Sequence, residues 1–296
     1  MKESKTEGPL QRFWTFVWYC IWNAGVYVGT WTGLYNAFWK PFYLVMAYLF
    51  DKGVKLEFMN FGYVPVEESD RKKLMAAVEE ALKNQDPTDR HQRLLYEKTL
   101  SMSPLYPDFE AKQLLEVGAG HGGGIQWMLH AHPKLKSVKG MDLTLAKDDL
   151  GGKLFQGNAM DIPLESESVD IVVNIESSHC YTNPSTFFKE VLRILRPGGF
   201  LLWADMRPAG HHTEFVWSDV SQMGFQLIDK ADIMPNILAS LEHEDKRMHN
   251  LFDDKWYGFI AMPLWRKWWA LPGTTINRDF KEGRFRYFAV CWQKPS

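Results

Sequence analysis

The sequence predicts an α/β protein: a parallel sheet with helices on both faces, and an apolar segment ahead of it. Three observations lead there. Strand and helix patterns alternate over roughly 180 residues, as they do when helical crossovers join parallel strands. The run VDIVVNI at 169–175 is rich in β-branched residues, which suits a strand covered on both faces. A strand pattern at 113–117 runs straight into five glycines and then a helical pattern.

Composition bounds the function. The chain has 296 residues, enough to bury a full core, and a formal charge of −2. That balance excludes a nucleic-acid binder built on a basic face. Three cysteines, Cys20, Cys180 and Cys291, are scattered. They form neither a disulfide framework nor a zinc spacing, and a reducing compartment is expected. The histidines give no H-E-x-x-H and no ligand spacing, so no metal is expected.

The elements follow in order. Residues 1–50 form an aromatic-rich apolar segment, with no Asp, Glu, Lys or Arg from Phe13 to Trp39, a run of 27 residues. A membrane-spanning helix needs about 20. Trp14, Trp18 and Trp22 recur every four residues, as do Gly25, Gly29, Gly33 and Ala37. The expectation is a helical segment meeting a membrane through 13–50, with the rest in the cytoplasm. A packed helix of a soluble cytoplasmic protein is the alternative.

Residues 51–110 read as a helical cap, with Leu74, Ala77, Val78 and Leu82 on one helical face and Leu94, Leu95 and Leu100 on the next. From 111 to 296 the α/β domain is expected. Its strands fall at 113–117, 137–143, 153–156, 169–175, 200–205, 226–230 and 284–293, and its helices at 124–130, 183–195 and 214–223. Residues 232–275 read as an insert and lid. They carry Met234, Ile237, Leu238, Trp256, Tyr257, Phe259, Met262, Trp265, Trp268 and Trp269, a lining suited to a large apolar ligand, to plain core or to a membrane-facing patch.

The glycines carry the first functional signal. Gly118, Gly120 and Gly123 fit G-x-G-x-x-G between strand and helix, where a backbone without Cβ can approach a nucleotide. A dinucleotide would place its pyrophosphate there. Glu116, two residues upstream, would repel phosphate and favour the ammonium and sulfonium of S-adenosylmethionine. Asp142 ends the second strand, 24 residues after Gly118, where an acid can accept both ribose hydroxyls. Asn158, after the third strand, offers a donor and an acceptor to an adenine edge. His121 lies inside the glycine loop.

His179 follows the strand 169–175, on the edge of the sheet where ligands of open α/β folds bind. Neutral imidazole suits removal of a hydroxyl proton near pH 7. Asp205 ends the next strand on that edge and is placed to orient it. Glu176 is expected either to bind the acceptor or to orient His179.

The pieces LLEVGAGHGGG, GMDLT, GNAMDIPLESESVDIVVNIESSHCY, FFKEVLRILRPGGFLLWADMRP and PGTTINRDFKEGRFRYFAVCWQK resemble class I S-adenosylmethionine-dependent methyltransferases. The HGGG loop, N-x-E-x-S-H-C-Y and A-D-x-R-P are similar to a narrower group, the phthiotriol dimycocerosate and macrolide-sugar O-methyltransferases. FMNFGYVP resembles a segment near the start of those enzymes. The resemblance implies a Rossmann-like sheet of seven strands with the last antiparallel. It implies cofactor contacts at Glu116, Gly118, Gly120, Asp142, Asn158 and Ala159. Asn174, in N-x-E-x-S-H-C-Y, joins that set. The stretch from Asp142 to Lys153 is short for the usual helix after the second strand.

The expected activity is O-methylation of a hydroxyl on a lipophilic small molecule such as a polyketide, terpenoid or sterol. C-methylation of a sterol or quinone-like ring is the alternative enzyme. A non-catalytic cofactor-binding scaffold at a membrane is the alternative from another class.

Overall fold

The computed structural model describes residues 57–83, 87–144, 149–210, 218–252, 266 and 269–296, with side chains left aside at 246–252. The apolar segment 13–50 lies outside the described residues. So do the lid residues Trp256, Tyr257, Phe259, Met262, Trp265 and Trp268.

Among the described residues seven strands form one sheet: β1 (Gln113–Val117), β2 (Ser137–Asp142), β3 (Leu154–Gln156), β4 (Val169–Ile175), β5 (Leu195–Pro208), β6 (Gln226–Asp232) and β7 (Phe285–Gln293). Their order is β3-β2-β1-β4-β5-β7-β6. The first five strands are parallel, and β7 runs antiparallel between β5 and β6. The order reverses between β1 and β4. That switch point opens a crevice at the carboxyl ends of the strands.

The helices are α1 (Ala76–Ala81), α2 (Arg90–Leu100), α3 (Gly123–Ala131), α4 (Pro184–Ile194), α5 (Met234–Phe252) and α6 (Thr275–Lys281). A short α turn (Glu68–Asp70) and a π turn (Arg71–Met75) lead into α1. Leu74 and Val78 are buried on that stretch, as their spacing predicts. Asn183 caps α4 by accepting from Thr186 N at 3.1 Å, and Pro184 opens the first turn.

Alternation along the strands sends side chains to two faces. On one, Leu115, Val117, Val172, Leu201, Trp203, Val290 and Trp292 pack against Phe187, Phe188 and Val191 of α4. The other face takes α2 and α3. A Cβ on Gly140 of β2 would meet Ile125 of α3 at 2.3 Å, so glycine allows that helix to sit directly on the strand.

Two stretches differ from expectation. Arg196–Gly199 was expected to stop a helix before a strand at 200. Instead β5 begins at Leu195 and bulges: Val169 pairs with Leu195, but Ile171 pairs with Phe200. Gly198 has φ +76°, which lets the extra residues loop out within one strand. The insert contains a 19-residue helix, α5, and α6 follows it; neither was anticipated.

Candidate active site

The glycine loop turns through Gly118, Gly120 and Gly122, with φ of +79°, +53° and +81°. A Cβ on Gly118 would fall 2.0 Å from Ser177 Oγ, so any other residue would collide with the end of β4. The loop is fixed on the far side by Met141 O, which accepts from Gly118 N at 2.8 Å and Ala119 N at 3.1 Å. Asp142 ends β2 beside it. Its Oδ2 accepts from Gly120 N at 2.9 Å and its Oδ1 from Thr144 N at 3.1 Å. Burial raises the Asp142 carboxyl, against those hydrogen bonds. His121 is half-buried in the loop.

Glu116 points to the α2 face. Its Oε1 accepts from Tyr96 OH at 2.5 Å, and its Oε2 is buried with no partner among the described residues. Burial pushes it up to about 8; the Tyr96 hydroxyl opposes the shift and Asp142 adds to it. Glu116 is therefore not the standing charge that its place in the sequence suggests. Burial favours the protonated carboxyl, and a cation at the unpartnered Oε2 would stabilise the anion.

Asn174 is fully buried on β4. Its amide nitrogen donates to Val117 O at 2.8 Å and Tyr181 OH at 3.0 Å, while its Oδ1 has no partner among the described residues. Asn158 directs its Oδ1 to Met160 N at 3.0 Å within its own turn, which leaves the amide nitrogen for a ligand. Ala159 packs at the margin of the core beside it.

The histidine site lies past the end of β4. Ser178–Cys180 makes one 3-10 turn that swings His179 onto Asp205 of β5. Asp205 Oδ1 meets His179 Nδ1 at 2.7 Å, and its Oδ2 accepts from His179 N at 2.8 Å, Ser178 Oγ at 2.6 Å and Arg207 at 3.1 Å. Ser178 Oγ in turn accepts from Trp203 Nε1 at 2.8 Å and Arg207 at 2.7 Å. Burial alone would raise Asp205, but the His179 and Arg207 charges hold it well below the usual carboxylate range. Burial opposes a charged His179, but Cys180 and Asp205 outweigh it and lift the imidazole above its usual value.

Glu176 does not orient His179. It accepts from Phe61 N at 3.0 Å on both oxygens and from Tyr287 OH at 2.8 Å. Burial raises it to about 8 against those bonds.

The structure thus joins His179 to Asp205, sets Glu116, Gly118, Gly120 and Asp142 around one loop, and turns Glu176 elsewhere. Arg207 and Ser178 were missed. Arg207 was readable: residues two apart on a strand share a face, so it had to stand beside Asp205. Among the described residues no cluster of His, Cys, Asp and Glu could hold a metal.

A cofactor with an adenosyl group and a positive end fits this loop. The unpartnered Glu116 oxygen, buried beside the glycine loop, is what the positive end of such a ligand requires. A profile described as a methyltransferase domain matches residues 115–203. The phthiotriol/phenolphthiotriol dimycocerosates methyltransferase of Mycobacterium leprae is 30% identical over 280 residues, 89% of this chain and 94% of that protein. The fatty-acid O-methyltransferase of Mycolicibacterium smegmatis is 28% identical over 81% of this chain and 84% of that protein. A solved geranyl diphosphate methyltransferase shares the fold, with a TM-score of 0.56 at 17% identity over 80% of this chain and 90% of that one. The chain is therefore an S-adenosylmethionine-dependent methyltransferase, and it belongs to the family that includes the phthiotriol/phenolphthiotriol dimycocerosates methyltransferases.

Proposed function

We propose that the chain methylates a hydroxyl of a lipophilic small molecule, with His179 as the base. The observation that carries this reading is the His179–Asp205 pair at the carboxyl end of β4, bonded at 2.7 Å. The ionised Asp205 holds the proton on Nδ1, so Nε2 carries the lone pair that takes the hydroxyl proton. Arg207 and Ser178 keep Asp205 ionised and in place. When bound, S-adenosylmethionine supplies an electrophilic methyl on a sulfonium, a leaving group that needs no acid. Gly118, Gly120, His121, Asp142, Asn158 and Ala159 are proposed to cradle the adenosyl part, with Asn174 bracing the floor and Glu116 meeting the ammonium.

The lipophilic acceptor is supported by relatives named for a fatty acid and for phthiotriol dimycocerosates. The aromatic content of 232–275 agrees with it. The uncharged run 13–39 supports contact with a membrane, which would bring the enzyme to such acceptors.

The test uses full-length protein, methyl-labelled S-adenosylmethionine and a lipid extract, with the product read by mass spectrometry. A labelled methoxy group is expected. His179→Ala should lower kcat about 10²–10⁴-fold, the range for loss of a general base, with cofactor affinity unchanged. Turnover should rise with pH through the elevated His179 value, because only the neutral imidazole accepts a proton. A new carbon–carbon bond in the product, or full activity in His179→Ala, overturns the reading.

A further inference from the structure

Residues 57–64 form a strap from the glycine loop after β1 to Glu176 after β4, the two strands between which the order reverses. One end lies on the glycine loop. A Cβ on Gly123 would come within 2.3 Å of Glu57 O, and one on Gly120 within 2.6 Å of Met59 Cε. The other end is held by the residue after β4, by α5 and by α2. Phe61 N donates to both Glu176 oxygens, Phe61 O accepts from Ser240 Oγ of α5 at 2.8 Å, and Tyr63 N donates to His91 O at 2.8 Å.

Glu176 is built to make that contact. It is the first residue after β4 and takes φ +45°, a left-handed conformation that a residue with a Cβ rarely adopts. Such a backbone persists where the surroundings fix it. Here Phe61 N–H and Tyr287 OH of β7 fix it together, and Tyr287 is fully buried. His179 meanwhile is engaged by Asp205. The carboxylate next to the proposed base therefore serves the strap.

We infer that Glu176 is a positioning residue, a latch that ties the 57–64 strap to β4 and holds Met59 over the cofactor loop. The strap then has to lift for cofactor to enter or leave. The inference rests on the glycine loop as the cofactor site and needs no particular acceptor.

Binding of S-adenosylhomocysteine to the full-length protein tests it, by calorimetry for affinity and stopped flow for dissociation. Glu176→Ala should bind about tenfold or more weakly, with faster dissociation and faster hydrogen exchange at 57–64. Glu176→Gln should stay within about threefold of wild type, because its carbonyl still accepts from Phe61 N and its amide can donate to the Tyr287 oxygen. Met59→Ala, which leaves the latch intact, should also weaken binding while the unliganded melting temperature holds. It keeps the test open should Glu176→Ala fail to fold. Wild-type affinity in Glu176→Ala overturns the inference. So does a Glu176→Gln as impaired as the alanine variant, which would mean the charge itself is needed. These readouts involve no acceptor, so their failure leaves the O-methylation proposal standing, and the reverse also holds.

Discussion

Asp205 and Glu116 are both buried carboxylates, yet their surroundings drive them opposite ways. Asp205 faces His179 and Arg207 and keeps its charge. Glu116 has one hydroxyl partner and no cation among the described residues, so burial raises it to about 8. The sign of the consequence follows from linkage. A carboxyl raised from 4.5 to about 8 stabilises the fold fully below pH 4.5, and that contribution is lost as pH rises toward 8. Unliganded protein should therefore melt lower at pH 8 than at pH 5, and Glu116→Gln should flatten that slope, with Glu176 keeping part of it. If the cofactor's ammonium meets Glu116, binding at pH 7 expels a proton. Calorimetry with S-adenosylhomocysteine in two buffers of different ionisation heat should detect this in wild type and not in Glu116→Gln. The same uncorrected heat in both buffers for the wild type would remove Glu116 from the ammonium site.

At the scale of elements, the glycine loop and the end of β4 are one fitted pair. Gly118→Ala should cost cofactor affinity at least tenfold, since its Cβ would lie 2.0 Å from Ser177 Oγ and 2.5 Å from Ser177 Cβ. Ser177→Gly removes both atoms, so the double variant should recover part of the affinity. The positive φ leaves about 1–2 kcal/mol of strain and keeps the rescue incomplete. A titration of S-adenosylhomocysteine against the three variants checks this, and a double variant no better than Gly118→Ala would show that strain alone decides. The same pair shows what the sequence could reveal. A short apolar run, a β-branched run and a glycine cluster located β1, β4 and the loop between strand and helix, and the strand-end rule pointed to His179 and Asp205. The bulge in β5 escaped because Arg-Pro-Gly-Gly is local turn chemistry, and only pairing with β4 shows that the strand continues through it. Glu176 escaped for a related reason. Its partners, Phe61 and Tyr287, lie 115 and 111 residues away, and nothing local announces them.

At the scale of the whole molecule, every residue proposed for cofactor and base lies within one unit, Val54–Ser296. The apolar run lies before it, so membrane contact and cofactor binding should separate experimentally. The run owes its proposed affinity to aromatic and small apolar side chains and has no charge from 13 to 39. Its binding should therefore persist at high ionic strength, where attraction between a charged surface and lipid headgroups is screened. Flotation with phosphatidylcholine–phosphatidylglycerol vesicles provides the measurement, on the full chain and on a variant lacking residues 1–50. The full chain should float in both 0.1 M and 1 M salt and the shortened one should remain below. Both should bind S-adenosylhomocysteine alike, because the strap begins at 57. A full chain that stays at the bottom of the gradient would sink the membrane proposal. Flotation lost at 1 M salt would move the contact from the apolar run to charged residues elsewhere. Flotation of the shortened chain would place it in Val54–Ser296, where the tryptophans of 256–269 become the next candidates.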